Sequence, residues 1–349
     1  MLRFVFAAGC MIIFAFNRAT ACTTFFINHN NQLLFGRNYD WVTGSGMVHT
    51  NLRGLAKTSF QMREGKTISW TSKYGSVTFN QYGKEFPTGG MNEKGLVVEL
   101  MWLDETRYPA PDDRPAISVL QWIQYQLDNC AGIDEVLATD KYLRIATVGT
   151  TPLHYLVADK QGNAATIEFL DGKMIVHKGT DLRHPVLTNS TYSESVSHYE
   201  LRRSASNDGS SLSRFSKACS MVQQFKLQTK ESPVSYAFDI LKAVSQGSFT
   251  QWSIVYDIRQ SRIYFKTNSQ PSTRFINLHD FEFDCTGKAL AFNMNERAEG
   301  SIAGRFAAFS RDSDLEVIGI SFQESADRIS VPASYIQKIS EYSAGIGCK

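Results

Sequence analysis

The 349-residue chain predicts an α+β fold in which antiparallel sheets are covered on their outer faces by helices. Two observations point there. Runs of β-branched and aromatic residues come in groups joined by short turns, and helix-period segments interrupt them in pairs, without strict strand–helix–strand alternation. A third observation sets the size. Apolar content of 43% and aromatic content of 12% suit a large packed core, and no repeat or linker divides it. Residues 22–349 therefore read as one domain.

Positions 1–21 form a leader. A basic start at Arg3 leads into the apolar run Phe4–Phe16, too short to cross a bilayer, which takes about 20 residues. The run is followed by Ala19-Thr20-Ala21, the small-x-small pattern that signal peptidase cuts. Removal would leave Cys22 first and imply a periplasmic or secreted protein. A lipoprotein acylated at Cys22, with a binding role, is the rival reading, although Ala19 stands where lipoproteins usually carry a branched apolar residue.

After the leader, Cys22–Ile27 and Leu33–Phe35 read as strands joined by the turn Asn28–Gln32. Strand signal continues at Thr67–Trp70, Ser76–Phe79 and Leu96–Leu100. Helical spacing follows over Ile117–Cys130 and Ile133–Ala138. Strands return at Leu153–Val157, Ala165–Leu170 and Met174–His177, joined by Asp159-Lys160-Gln161-Gly162 and Asp171-Gly172. Ser190–Ser213 is polar and Ser-rich and reads as an exposed loop. Arg214–Phe225 and Val234–Val244 read as helices, and Ser253–Ile258 with Ile263–Thr267 as a hairpin. Beyond Asp280 the pattern weakens and assigns no elements.

Charge excludes some partners. The chain carries 36 basic and 34 acidic side chains, and Arg3 and Arg18 fall in the leader, so the remainder is balanced. That gives no electrostatic footprint for nucleic acid or an anionic membrane. Without Cys10 and Cys22, four cysteines remain: Cys130, Cys219, Cys285 and Cys348. In an exported chain they allow two bridges in three connectivities, or buried thiols, and the sequence does not choose. No CxxC, HExxH or clustered histidine spacing points to a metal.

The chemistry concentrates at Cys22. A cysteine at the first position carries a thiol and an α-amine on one residue. The amine, with a reference pKa of about 7.7–8.0, is placed to act as general base for the thiol. In a hairpin starting there, Gly36-Arg37-Asn38-Tyr39-Asp40-Trp41 lies alongside. Arg37 would lower the thiol pKa and Asp40 would hold the amine.

Three segments together resemble the choloylglycine hydrolase family: Cys22-Thr23-Thr24-Phe25-Phe26, Gly36 to Trp41, and Gly90-Met91-Asn92-Glu93-Lys94-Gly95-Leu96. The family comprises penicillin V acylases and conjugated bile salt hydrolases, and the likeness runs from Cys22 to about Thr267. It implies the four-layer αββα sandwich of N-terminal nucleophile hydrolases and hydrolysis of linear amides without a cofactor. It places Arg37 and Asp40 beside the nucleophile and gives Asn189 and the Trp102 backbone N–H the oxyanion. Arg214 is the arginine that steadies the site. Asn189-Ser190-Thr191 is also a glycosylation sequon, a role incompatible with the oxyanion one. Trp41 and Trp102 would wall an acyl pocket for an aromatic or straight fatty acyl group. Penicillin V or an N-acyl homoserine lactone is the expected substrate, with conjugated bile salts or an acid-ceramidase-like amidase activity as alternatives. Homotetramers occur in the family.

Overall fold

Asn30 and Asn31 adopt φ of 47° and 62°, the left-handed pair that a two-residue hairpin turn requires. They join the strands Thr23–His29 and Gln32–Asp40 in the register Thr23↔Asn38 and Thr24↔Arg37. Continued by one residue, that register brings Cys22 level with Tyr39 and next to Asp40. The computed structural model describes residues 22–60, 65–147, 150–201, 208–225 and 232–348. The expected leader lies outside the described residues.

The hairpin belongs to a seven-stranded sheet ordered Val186–Leu187, Thr23–His29, Gln32–Asp40, Thr250–Asp257, Arg262–Thr267, Arg274–Asn277 and Gly300–Ser301. A nine-stranded sheet faces it. Its order is Lys173–Lys178, Ala164–Leu170, Leu153–Ala158, Val97–Trp102, Pro87–Asn92, Ser76–Asn80, Met47–Asn51, Leu290–Asn293 and Ala307–Ala308. Within these two sheets every pairing is antiparallel except that of Arg274–Asn277 with Gly300–Ser301.

The period of two along each strand sorts side chains between layers. In Val97–Trp102, Val97 and Met101 join the core between the sheets, with Phe35 and Phe79. Val98 and Leu100 instead meet helices α1 (Val119–Asn129) and α2 (Ile133–Ala138) on the outer face. The first sheet's outer face is covered by α4 (Ser211–Phe225) and α5 (Pro233–Ala243), with α3 (Tyr192–Glu200) against α4. The result is the expected αββα sandwich.

Two expectations need correction. Ser190–Ser213 is not all loop, since α3 occupies Tyr192–Glu200. Thr191 caps it by accepting the Glu194 N–H at 3.3 Å, and Tyr192, Ser195 and Val196 are buried. Thr191-x-x-Glu194 is a helix-start signal that the polar composition masked. Beyond Asp280 the chain folds into α6 (Arg311–Glu324) and α7 (Ala333–Ala344), which pack on each other and on Tyr82 and Phe86. The apolar residues of α6 are scattered around its circumference, so no amphipathic stripe announces it. A Cys285–Cys348 disulfide ties the end of this region down, while Cys130 and Cys219 are buried thiols.

Candidate active site

Cys22 is 3% exposed and forms part of the wall of an apolar pocket. Its thiol faces the Asp40 carbonyl at 3.9 Å. Burial pushes the thiol up to about 11, and the Arg37 charge opposes this without overcoming it. Arg37 thus acts on the thiol in the expected direction, and burial is the larger effect. On the facing sheet, Glu99 points inward between Val97 and Met101. Arg37 Nη1 lies 2.5 Å from Glu99 Oε2, so much of its charge is already answered. Arg37 also donates to the carbonyls of Thr88 (3.3 Å) and Leu100 (3.4 Å), and its guanidinium lies over the Tyr39 ring.

Glu99 receives the Tyr256 hydroxyl as well. Burial still lifts its carboxyl to about 7, against the pull of Arg37. Space for that carboxylate comes from its cross-strand partner Gly89, where a Cβ would sit 2.0 Å from Glu99 Oε2. Sequence reading missed Glu99. An acid in an otherwise apolar strand run was the available signal.

Asp40 is fully buried, and neither carboxylate oxygen meets a donor at hydrogen-bond geometry. Burial raises it to about 7, with the Thr250 hydroxyl, Arg214 and Arg37 acting the other way. An unpartnered buried carboxylate is costly unless something supplies donors to it.

Arg214, in the first turn of α4, joins two segments far apart in sequence. Nη1 donates to the Cys22 carbonyl and to Thr23 Oγ1 (2.7 Å), and Nη2 donates to Asn189 Oδ1 (2.9 Å). That fixes the Asn189 amide, whose Nδ2 donates to the Trp102 carbonyl at 2.8 Å. The amide nitrogen a glycan would need is thus engaged inside the site. On Trp102's far side, Leu103 N–H donates to Pro152 O. By the alternation of antiparallel ladders, the Trp102 N–H then faces the same way as the Trp102 and Leu100 carbonyls, toward Asn189 and Arg37.

Trp41 and Trp102 stack with centroids 6.0 Å apart, and both line the pocket. Trp41 Nε1 donates to Tyr82 Oη (2.8 Å), whose hydroxyl donates to Ser325 Oγ at the end of α6 (3.2 Å). Phe322, Ile329, Val331, Tyr335 and Ile339 form the distal wall. None of these five carried a sequence signal. Trp70 and Trp252 lie outside the pocket lining: Trp252 is buried against Tyr39, and Trp70 donates to Asp128.

The arrangement offers an occluded thiol, a row of neutral and cationic donors beside it, and an apolar recess for one substituent. That suits attack on the carbonyl of an acyl derivative. Comparison with known proteins agrees. The chain is 28% identical to a penicillin V acylase of Pectobacterium atrosepticum, over 69% of this chain and 77% of that one. It is 24% identical to a bile salt hydrolase/transferase of Lactiplantibacillus plantarum, over 78% and 96% respectively. The solved penicillin V acylase of Agrobacterium tumefaciens superposes with a TM-score of 0.71 at 25% identity, covering 83% of this chain and 98% of that one. A conjugated bile acid hydrolase variant of Clostridium perfringens shares the fold, with a TM-score of 0.68 at 19% identity. Residues 22–208 match the family of linear amide C–N hydrolases, choloylglycine hydrolase family. The chain belongs to the choloylglycine hydrolase family and is a linear amide hydrolase.

Proposed function

We propose that Cys22, released as the first residue by removal of 1–21 during export, hydrolyses N-acyl amides. The acyl part would be a straight aliphatic chain or a flat aromatic group, as in N-acyl homoserine lactones or penicillin V. The observation that carries this reading is the pocket running from Cys22 past the two indoles to a distal wall of aliphatic and aromatic side chains. Burial holds the Cys22 thiol above its ordinary value and so disfavours the thiolate at neutral pH, and the reaction needs a base at the sulfur. The freed α-amine is that base. Its N–H groups would supply the donors that the Asp40 oxygens lack.

In this scheme the amine takes the thiol proton as sulfur attacks the amide carbon. The Trp102 N–H and Asn189 Nδ2 receive the oxyanion, and Arg214 holds Asn189 to that task. The amine's proton passes to the leaving nitrogen, the C–N bond breaks, and water then hydrolyses the thioester with the amine again as base. Mature protein beginning at Cys22 should release amine from acyl homoserine lactones or penicillin V at least ten-fold faster, by kcat/KM, than from glycocholate. A preference for glycocholate would overturn the substrate assignment and leave the reaction type in place.

A further inference from the structure

His154 sits fully buried on the strand Leu153–Ala158, on the face between the sheets with Leu156 and Ala158. The scheme above gives it no part, yet both ring nitrogens are engaged. Nε2 lies 2.7 Å from the Thr188 carbonyl, and Nδ1 lies 3.2 Å from Glu168 Oε1. A carbonyl can only accept, so Nε2 carries hydrogen and donates. The same Glu168 Oε1 accepts the Tyr192 N–H, the first of α3, at 3.0 Å. The pair therefore grips both ends of the turn Thr188–Thr191, and Asn189 sits inside that turn.

We propose that His154, backed by Glu168, is a positioning residue for the Asn189 amide; this rests on the reading of Asn189 as an oxyanion donor. Ser211 Oγ accepts the Asn189 N–H at 2.9 Å, and Arg214 holds its Oδ1. Those contacts restrain Asn189 from the α4 side. His154 restrains the preceding peptide from the nine-stranded sheet, which also carries Trp102. The two oxyanion donors are thereby referred to one frame. Oxyanion donors must lie about 2.7–3.1 Å from the developing charge, and a misplacement of about 1 Å costs on the order of 10² in rate.

The test compares His154→Asn with His154→Gln in mature enzyme, with Asn189→Ala as reference. Asparagine is too short to reach the Thr188 carbonyl, whereas glutamine's amide reaches it. His154→Asn should lower kcat at least ten-fold with KM within about two-fold, and His154→Gln should recover most of the loss. Affinity for an acyl trifluoromethyl ketone, which forms a hemithioketal with its oxygen at the oxyanion position, should fall in proportion to kcat. The double variant His154→Asn/Asn189→Ala should be no slower than Asn189→Ala alone, because the histidine acts through the asparagine. Equal kcat for His154→Asn and His154→Gln, or an additive double variant, would overturn the inference. An Asn189→Ala enzyme as active as the parent would instead remove the Asn189 reading beneath it.

Discussion

Replacing Arg214 with methionine keeps an unbranched stem of four heavy atoms and removes every donor. The buried guanidinium holds the Cys22 carbonyl, Thr23 Oγ1 and Asn189 Oδ1, so the change releases the nucleophile's own peptide and the Asn189 amide together. Losing one oxyanion donor costs about 10²–10³ in kcat, or about 2.7–4 kcal/mol. Folding should suffer as well. Each charge-assisted hydrogen bond is worth about 1.5–3 kcal/mol, and the abandoned acceptors stay buried, so a net loss of about 2–4 kcal/mol is expected. With an unfolding entropy of about 2.1 cal/mol/K per residue, a chain of this size should lose about 3–6 °C in Tm. The assay is initial-rate release of amine at saturating substrate, divided by reactive Cys22 counted by thiol titration, so that unfolded material does not count as lost chemistry. Arg214→Lys should fall between the two, because one ammonium cannot hold the Cys22–Thr23 arm and the Asn189 arm at once. A methionine enzyme within three-fold of the parent per titrated thiol would refute the claim that Arg214 organises the site.

Other consequences follow from the same geometry. Glu99 has a folded-state carboxyl raised from 4.5 to about 7, so its stabilising contribution is complete below pH 4.5 and is lost as pH rises through 7. Glu99→Gln is neutral throughout. Its stability relative to the parent should therefore improve from pH 5 to pH 8, by on the order of 3 kcal/mol, in paired chemical denaturation curves; a difference that does not move with pH would contradict the raised value. Phe322→Ala, which opens the distal wall, should move the optimum of an acyl homoserine lactone series to chains longer by two or more carbons. The gain in kcat/KM for those chains should be about 10-fold, with rates on short chains within a few-fold of the parent. An unchanged chain-length profile would show that α6 does not bound the acyl group.

How much of this could be read from residues alone depends on the range of the interaction. The opening hairpin was legible, because an Asn-rich turn between β-branched runs fixes its own register, and that register delivers Arg37 and Asp40 to Cys22. Helices α1, α4 and α5 were legible because their apolar faces repeat locally. Asn189 and Arg214 came only from family resemblance. Nothing in Thr188-Asn189-Ser190 or Ser213-Arg214-Phe215 declares that the two meet across 25 residues beside Trp102. Glu99 and Gly89 were illegible for a related reason. The acid makes sense only once two sheets stack and set Arg37 opposite it, and the glycine only once that acid needs room. The distal pocket wall was lost for want of periodicity in α6. The disulfide resolved as Cys285–Cys348 because folding brings the chain's last strand, Gly347–Cys348, beside Leu55–Ala56, a proximity no spacing encodes.

Catalysis by a leading cysteine is the centre of the account, and trapping the acyl-enzyme addresses it most directly. Purified active protein, quenched in acid during turnover of a slow acyl amide, would be digested and mapped by tandem mass spectrometry. The expected product is a peptide that begins at Cys22, with an unmodified α-amine and the acyl group on sulfur. Turnover by material in which residue 21 still precedes Cys22, or an acyl group carried by Cys130 or Cys219 instead, would contradict it.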